Sequence, residues 1–194
     1  MVQRKSEYER RENDLYETPD WVTNAVMKHL YVDLWNRGKS FPNIWEPAAG
    51  NMKMVRAIQG WGACHVLASD IDSRGHSDIN LFDFLQSSYY DDLHAIITNP
   101  PFGKLGQKFV EHALYCTKFN QGLVAMLLPI DFDSAKTRRH LFADCPAWCK
   151  KIVLTKRIVW FEPPPGEKGK SPASNHAWYI WDWRHEGPPT IAYS

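Results

Sequence analysis

His94-Ala95-Ile96-Ile97-Thr98-Asn99-Pro100-Pro101-Phe102-Gly103 decides how the rest of the chain is read. A short apolar run ends in two successive prolines, which fix two backbone dihedrals and remove two amide donors. The run reads as a strand that stops at Asn99, with the carbonyls beyond it projecting outward in a set direction. Downstream, the pattern predicts a helix from about Gln107 to Lys118, a strand from Leu123 to Pro129, a helix near Ser134 to Phe142, and strands at Ile152 to Trp160 and Ala177 to Trp183. Upstream it predicts a strand at His65 to Asp70, a helical segment from Met52 to Trp61 and a strand at Asn43 to Glu46. Ahead of these, Pro19 suits a first helical position, and Val22, Val26, Leu30 and Leu34 recur at helical spacing as far as Gly38. Strands and helices alternating in this way indicate an α/β fold, a doubly wound and mostly parallel sheet covered on both faces.

The 194 residues, 44% of them apolar or aromatic, suit one compact domain over 15–194 behind a polar arm over 1–14 that carries Arg4, Lys5, Glu7, Glu9, Arg10, Arg11, Glu12 and Asp14. The formal charge is only +1, so a nucleic-acid surface has to come from local pairs such as Arg138-Arg139, Lys150-Lys151 and Lys156-Arg157. Cys64, Cys116, Cys145 and Cys149 show no paired two-residue spacing, which argues against a zinc site or any other metal role. With no apolar leader and no apolar run of about 18 residues, the thiols read as reduced cysteines of a soluble, cytoplasmic protein with no membrane role. No Gly-rich loop followed by Lys-Ser/Thr is present, which argues against a nucleoside triphosphatase.

Ligands of open parallel sheets sit outside the carboxyl ends of the strands. The residues after each apolar run are therefore the candidates for chemistry. The amine of an aromatic base such as adenine is a poor nucleophile, because its lone pair is delocalised into the ring. If the Asn99 side-chain oxygen and the Pro100 carbonyl accept its two hydrogens, the nitrogen is drawn toward tetrahedral geometry and its lone pair can face a methyl donor. Asn99, Pro100, Pro101 and Phe102 form the expected reaction centre, with Phe102 as a face for an extruded base. Locally, a plain strand-ending turn with Phe102 in the core has the same sequence.

Farther upstream, Glu46-Pro47-Ala48-Ala49-Gly50 reads as a strand running into a loop of small residues, where backbone can approach a ligand closely. The Glu46 carboxylate is suited to attract the cationic part of S-adenosylmethionine, although an ordinary strand-to-helix turn would look similar. An acid ending the second strand, Asp70, stands where ribose hydroxyls are gripped in doubly wound folds, and a solvated turn acid is the alternative. Asp83 is placed to bond the cofactor's adenine amine, with Phe84 and Ile71 flanking the ring.

Taken in order, these residues resemble the amino-methylating, adenine-N6 DNA methyltransferases of bacteria and phages. The resemblance rests on Tyr16-Glu17-Thr18-Pro19, Glu46-Pro47-Ala48-Ala49-Gly50, Asp70 and Asn99-Pro100-Pro101-Phe102, and it covers the chain from about Tyr16 to Trp183. It implies S-adenosylmethionine as cofactor and a seven-stranded sheet with an antiparallel last strand, for which His176 to Trp181 is the match. It also implies that Tyr16 and Thr18 lie by the cofactor's methionine end and Asp83 by its adenine. The loop departs from the family at Met52, where a second glycine is common. Cytosine-C5 methylation is disfavoured, since it needs a thiolate nucleophile and Cys145 precedes Pro146 where the family pattern has it following.

Restriction-associated members of that family carry a separate target-recognition domain, for which this chain has no space. Target contacts are then expected from Phe102, from Arg138 and Arg139, from Trp160 as an aromatic wall, from Lys168 and Lys170 in the Pro/Gly-rich segment Glu162 to Asn175, and from His176. Core packing is the competing reading for Trp160, and a structural role for His176. A short or relaxed sequence preference in DNA follows from the missing domain. An RNA adenine methyltransferase and a noncatalytic nucleic-acid-binding module on the same fold are the alternatives.

Overall fold

Alternate residues of a strand point to opposite faces of its sheet, so a strand with no polar position has to be covered on both sides. The stretch Leu123–Pro129 is such a strand. In the computed structural model, which describes residues 16–37, 42–62, 65–88, 91–160 and 174–194, the elements run α1 (Asp20–Trp35), β1 (Asn43–Glu46), α2 (Lys53–Gln59), β2 (His65–Asp70), β3 (Asn80–Leu81), β4 (Ala95–Thr98), α3 (Lys104–Lys118), β5 (Leu123–Pro129), β6 (Trp148–Val153), β7 (His176–Asp182) and β8 (Thr190–Tyr193). Leu123, Ala125 and Leu127 join one core with Ile44, Ala95, Ile97, Trp178 and Ile180, beneath Val22, Val26, Leu30 and Leu34 of α1. Val124, Met126 and Leu128 join the other, with Trp45, Ile96, Tyr179 and Trp181, beneath Phe109, Val110 and Ala113 of α3. Indole nitrogens are satisfied even in the depth of these cores: Trp45 donates to Ser69 Oγ at 2.8 Å, Trp178 to the Val22 carbonyl at 2.9 Å and Trp181 to the Leu141 carbonyl at 2.6 Å.

The strands form one sheet in the order β3-β2-β1-β4-β5-β7-β6-β8. The chain starts at β1, steps outward through β2 and β3, and returns to the opposite side of β1 for β4 and β5. This reversal leaves a crevice at the carboxyl ends of β1 and β4, the point at which ligands bind in open α/β sheets. Among the described strands only β7 runs against the rest, antiparallel to both β5 and β6.

The doubly wound, mostly parallel sheet agrees with the sequence, and the reversed strand is the one expected from His176 to Trp181. The strand count differs: the described residues form eight strands where seven were expected. β8 adds a largely exposed edge strand parallel to β6, and its residues carry no alternation that would announce it. The helix expected near Ser134 to Phe142 is replaced by two short 3₁₀ segments, Phe132–Ser134 and Lys136–Leu141, closed by bonds such as Arg138 N to Ala135 O and Phe142 N to Arg139 O. The strand expected at Ile152 to Trp160 begins earlier and ends at Val153, because its pairing with β7 stops at Ala177. Leu154 and Ile158 are buried by packing against the α1 side and not by strand pairing. The expected arm over 1–14 lies outside the described residues, as do Lys168 and Lys170.

Gly103 turns the chain from the end of β4 into α3 with φ 78° and ψ −138°. Side chains rarely tolerate that region, and a Cβ here would meet nothing within 4 Å, so any penalty is purely one of backbone. Gly103→Ala is expected to lower stability by about 1–3 kcal/mol. The readout is a lower denaturant midpoint at unchanged slope in equilibrium unfolding.

Candidate active site

Because β2, β1 and β4 are neighbours, their carboxyl ends bring Asp70, Glu46 and Asn99 to one edge of the sheet. A cleft opens there. Among the expected cofactor residues, Tyr16, Thr18, Glu46, Pro47, Ala48, Gly50, Asp70, Ile71, Asp83, Phe84 and Asn99 all line it. The loop after β1 is pinned to the end of β2 by two bonds, Ala49 N to the Ser69 carbonyl at 3.0 Å and Gly50 N to Asp70 Oδ2 at 2.9 Å. Asp70 Oδ1 accepts from Asp72 N at 3.1 Å. Met52, where the resemblance leads one to expect glycine, adopts a left-handed backbone with φ 65° and ψ 12°. The loop thus keeps the path that glycine would ease, at a steric cost of about 1–2 kcal/mol.

Glu46 is buried at the floor of this loop. Its Oε1 accepts from Ala48 N at 2.9 Å and from Thr98 Oγ1 at 2.5 Å. Burial pushes its carboxyl up to about 8, helped by the negative charge of Asp70, while the two hydrogen bonds pull the other way. Asp83 caps the turn after β3, accepting from Leu85 N at 3.0 Å and from Gln86 Nε2 at 3.2 Å. Ile71 is 60% exposed and free to lie against a ligand, whereas Phe84 is only 1% exposed. Phe84 is locked into the core against Trp45, Phe109 and His112, at 5.0, 4.9 and 4.8 Å between ring centroids. Both residues line the cleft, Ile71 with an open face and Phe84 with little of its ring exposed.

Asn99 closes the cleft on the β4 side. Its Nδ2 donates to Thr18 Oγ1 at 3.1 Å and more weakly to the Tyr16 carbonyl at 3.4 Å. Since a carbonyl only accepts, the nitrogen has to face it, which leaves Oδ1 pointing the other way. That oxygen is buried and has no hydrogen-bond partner. Pro101 lines the cleft beside Asn99, and Pro100 is buried under it. Gly106, one turn into α3, packs beneath this corner so closely that a Cβ would stand 3.1 Å from the Pro101 carbonyl oxygen.

Phe102 does not line the cleft. It turns instead into an aromatic group with Tyr16 at 4.7 Å, Trp160 at 6.0 Å and His176 at 6.3 Å, while Trp160 and His176 meet edge to face at 5.3 Å. Three residues expected on the target side from separate stretches of sequence are therefore brought together, and Tyr16 joins them. His176 is 3% exposed, burial lowers its imidazole to about 4, and its Nδ1 is buried without a partner. The two remaining expected contacts among the described residues lie apart from this group. Arg138 stacks on the Phe132 ring at 4.1 Å, and Arg139 pairs with Asp144 at 3.0 Å; neither lines the cleft. Both are held by the tight 3₁₀ turns that replaced the expected helix. In the other basic pairs, Lys151 bridges to Asp133 at 2.7 Å, Lys156 lies 5.2 Å from the Trp21 ring, and Arg157 donates to Asn175 Oδ1 at 2.9 Å.

No protein-family model and no curated protein sequence matches the chain. Solved structures do match. A proposed class I S-adenosylmethionine-dependent methyltransferase from Listeria monocytogenes aligns with a TM-score of 0.63 and 13% identity, over 95% of this chain and 67% of its own. The methyltransferase subunit of a type I restriction-modification system from Streptococcus thermophilus gives 0.63 and 12%, over 88% of this chain. This chain spans 45% of that subunit's length. A proposed RNA methyltransferase from Pyrococcus horikoshii gives 0.55 and 17%, over 88% of each chain. The chain has the class I methyltransferase fold.

Within the methyltransferase fold, several cleft residues escaped the reading of the sequence. Glu17 and Asn51 face each other across the opening, with Asn51 Nδ2 donating to Glu17 Oε1 at 2.6 Å. Lys53 and Arg74 are the cationic residues of the lining. Arg74 sits on a left-handed backbone with φ 50° and has a buried, unpartnered Nε. Asn51 and Lys53 follow directly on the small-residue loop, and that adjacency was the available signal. Arg74 had none, since it reaches the cleft through the turn after β2. Among the described residues there is no group of three or more metal-ligating side chains, and no helix is long and apolar enough to cross a membrane.

Proposed function

We propose that this protein transfers a methyl group from S-adenosylmethionine to an exocyclic amino nitrogen, N6 of adenine in DNA. The observation that carries the reading is the Asn99 amide, anchored through its nitrogen while its buried oxygen lacks a partner. A buried acceptor left unpaired costs about 1–3 kcal/mol, so a site that keeps one is a site built for a donor. An amine with two hydrogens is such a donor. The class I fold and the cleft lining fit the cofactor: an acid beneath the small-residue loop, Asp70 and Asp83 toward a nucleoside, and Lys53 for a carboxylate. When bound, S-adenosylmethionine supplies an electrophilic methyl group on a sulfonium.

The protein's part is to hold and orient. Asn99 Oδ1 and the Pro100 carbonyl accept the two amine hydrogens, which localises the nitrogen lone pair, and the two prolines keep both acceptors from relaxing away. Phe102, with Trp160 and His176 behind it, forms the wall on the target side. We read residues 15–194 as one catalytic domain whose target preference is short or relaxed. A noncatalytic binding module would have no use for an orphaned acceptor beside the cleft.

The test is incubation with isotope-labelled S-adenosylmethionine and, in parallel, duplex DNA, single-stranded DNA and RNA, followed by nucleoside mass spectrometry. Label in N6-methyldeoxyadenosine is the expected result. Label confined to RNA, or to a ring carbon, overturns the assignment. Mapping the methylated adenines on random-sequence duplex then addresses preference, and one fixed context of six base pairs would refute the relaxed reading.

A further inference from the structure

We infer that Thr18 is a positioning residue that, together with the Tyr16 carbonyl, holds the Asn99 amide with its oxygen toward the incoming amine. The inference rests on the proposed methyl transfer and asks what makes its acceptor an acceptor. The two ends of an amide are nearly the same size, so a half-turn of the side chain would set an NH2 group against the incoming amine. Donor would then meet donor, and the nitrogen lone pair would lose its alignment.

Nothing on the target side of Asn99 opposes that half-turn, since Oδ1 has no partner. The restraint lies behind it. The Tyr16 carbonyl can only accept and so sets the sense of the amide, but at 3.4 Å it is a long contact. Thr18 Oγ1, at 3.1 Å, is the closer of the two and holds the nitrogen in place. Thr18 is itself fixed: it is 4% exposed, Pro19 behind it opens α1, and Glu17 ahead of it is tied to Asn51. The segment Tyr16 to Thr18 is thus fastened to the loop after β1 at one residue and to the end of β4 at the next.

Thr18→Val keeps the shape and removes the hydroxyl; Thr18→Ser keeps the hydroxyl and removes the methyl. Steady-state kinetics are expected to show kcat reduced about tenfold to a hundredfold for Thr18→Val, the loss of one to two hydrogen bonds' worth of alignment, with KM for S-adenosylmethionine within about twofold. Thr18→Ser is expected to restore kcat to within about threefold. Thr18→Ala serves in place of Thr18→Val should the latter not fold. Asn99→Ala is run alongside. If it stays active, the methyl-transfer reading itself fails. If it is inactive while Thr18→Val turns over at the unaltered rate, only the role given to Thr18 fails. An effect confined to KM for the cofactor, or an equal loss in Thr18→Ser and Thr18→Val, overturns the inference as well.

Discussion

Asn99→Ala is expected to lower methyl transfer by a factor of at least about 10²–10³, comparable to removing one preorganised hydrogen-bonding group from other active sites. Cofactor affinity should change by less than about threefold, because Glu46, Asp70, Asp83 and Lys53 of the cleft are left untouched and Thr18 stays buried at the start of α1. Stability is expected to move by no more than about 1 kcal/mol, since the substitution removes two donor contacts together with an acceptor that had none. Single-turnover rates at saturating cofactor, calorimetric titration with S-adenosylmethionine and equilibrium unfolding measure the three separately. Unreduced turnover in a folded, cofactor-binding variant would sink the proposed centre. Asn99→Asp is an informative companion: a carboxylate offers acceptors on both sides, but loses the donor that Thr18 and the Tyr16 carbonyl hold.

Cofactor binding is expected to release a proton. Glu46 titrates near 8 because it is buried, well above the 4.5 of an exposed glutamate, so at pH 7 the unliganded protein carries it largely as the neutral acid. A cationic ligand beside it favours the carboxylate, and the proton must leave for that form to appear. The sign follows directly. Affinity for S-adenosylmethionine weakens as pH falls below about 8, by at most about tenfold per pH unit, and is level above it as far as Glu46 is concerned. Between pH 7.5 and pH 6 the fall approaches about 25-fold in the limit where ligand and carboxylate are strongly coupled. Titration calorimetry at pH 7 in buffers of different ionisation enthalpy should report release of close to one proton. Glu46→Gln, which keeps an acceptor for Ala48 N and Thr98 Oγ1, should release none and show a flat profile over the same window. Equal proton release by both proteins would remove Glu46 from the account.

Legibility in the sequence followed physical cause. Glu46, Asp70 and Asn99 could be placed because each ends an apolar run at a sharp change of composition, and in a parallel sheet such ends share an edge. α1 was legible from Pro19 and the spacing of Val22, Val26, Leu30 and Leu34. β3 and β8 were not, because one is two residues long and the other is an exposed edge held mainly by backbone bonds. The apolar residues Leu154 and Ile158 misled for the opposite reason: they are buried without belonging to a strand. At the cleft, the positions of Glu46, Asp70, Asp83, Asn99 and Pro101 were readable, whereas the turning away of Phe102, the Glu17 to Asn51 tie and the approach of Arg74 depend on how loops fold back. The burial of Phe84 was not legible, because an aromatic beside a cleft and an aromatic beneath it have the same sequence.

The reversal of β7 has a consequence for how such a protein can change. Being antiparallel, β7 begins where its neighbours finish, with His176 opposite Pro129 and Ala177 opposite Val153. The chain therefore leaves β6 and re-enters β7 at the same rim, the one that carries the cleft. Glu46, Asp70 and Asn99 stand at the carboxyl ends of β1, β2 and β4, on the other half of the sheet. On the proposed reading, the handling of the cofactor and the choice of target are inherited on separate strands. Lengthening or exchanging the connection between β6 and β7 can then shift which nucleic acids are modified while the donor's berth is left untouched, a modular route to new specificity within a single sheet.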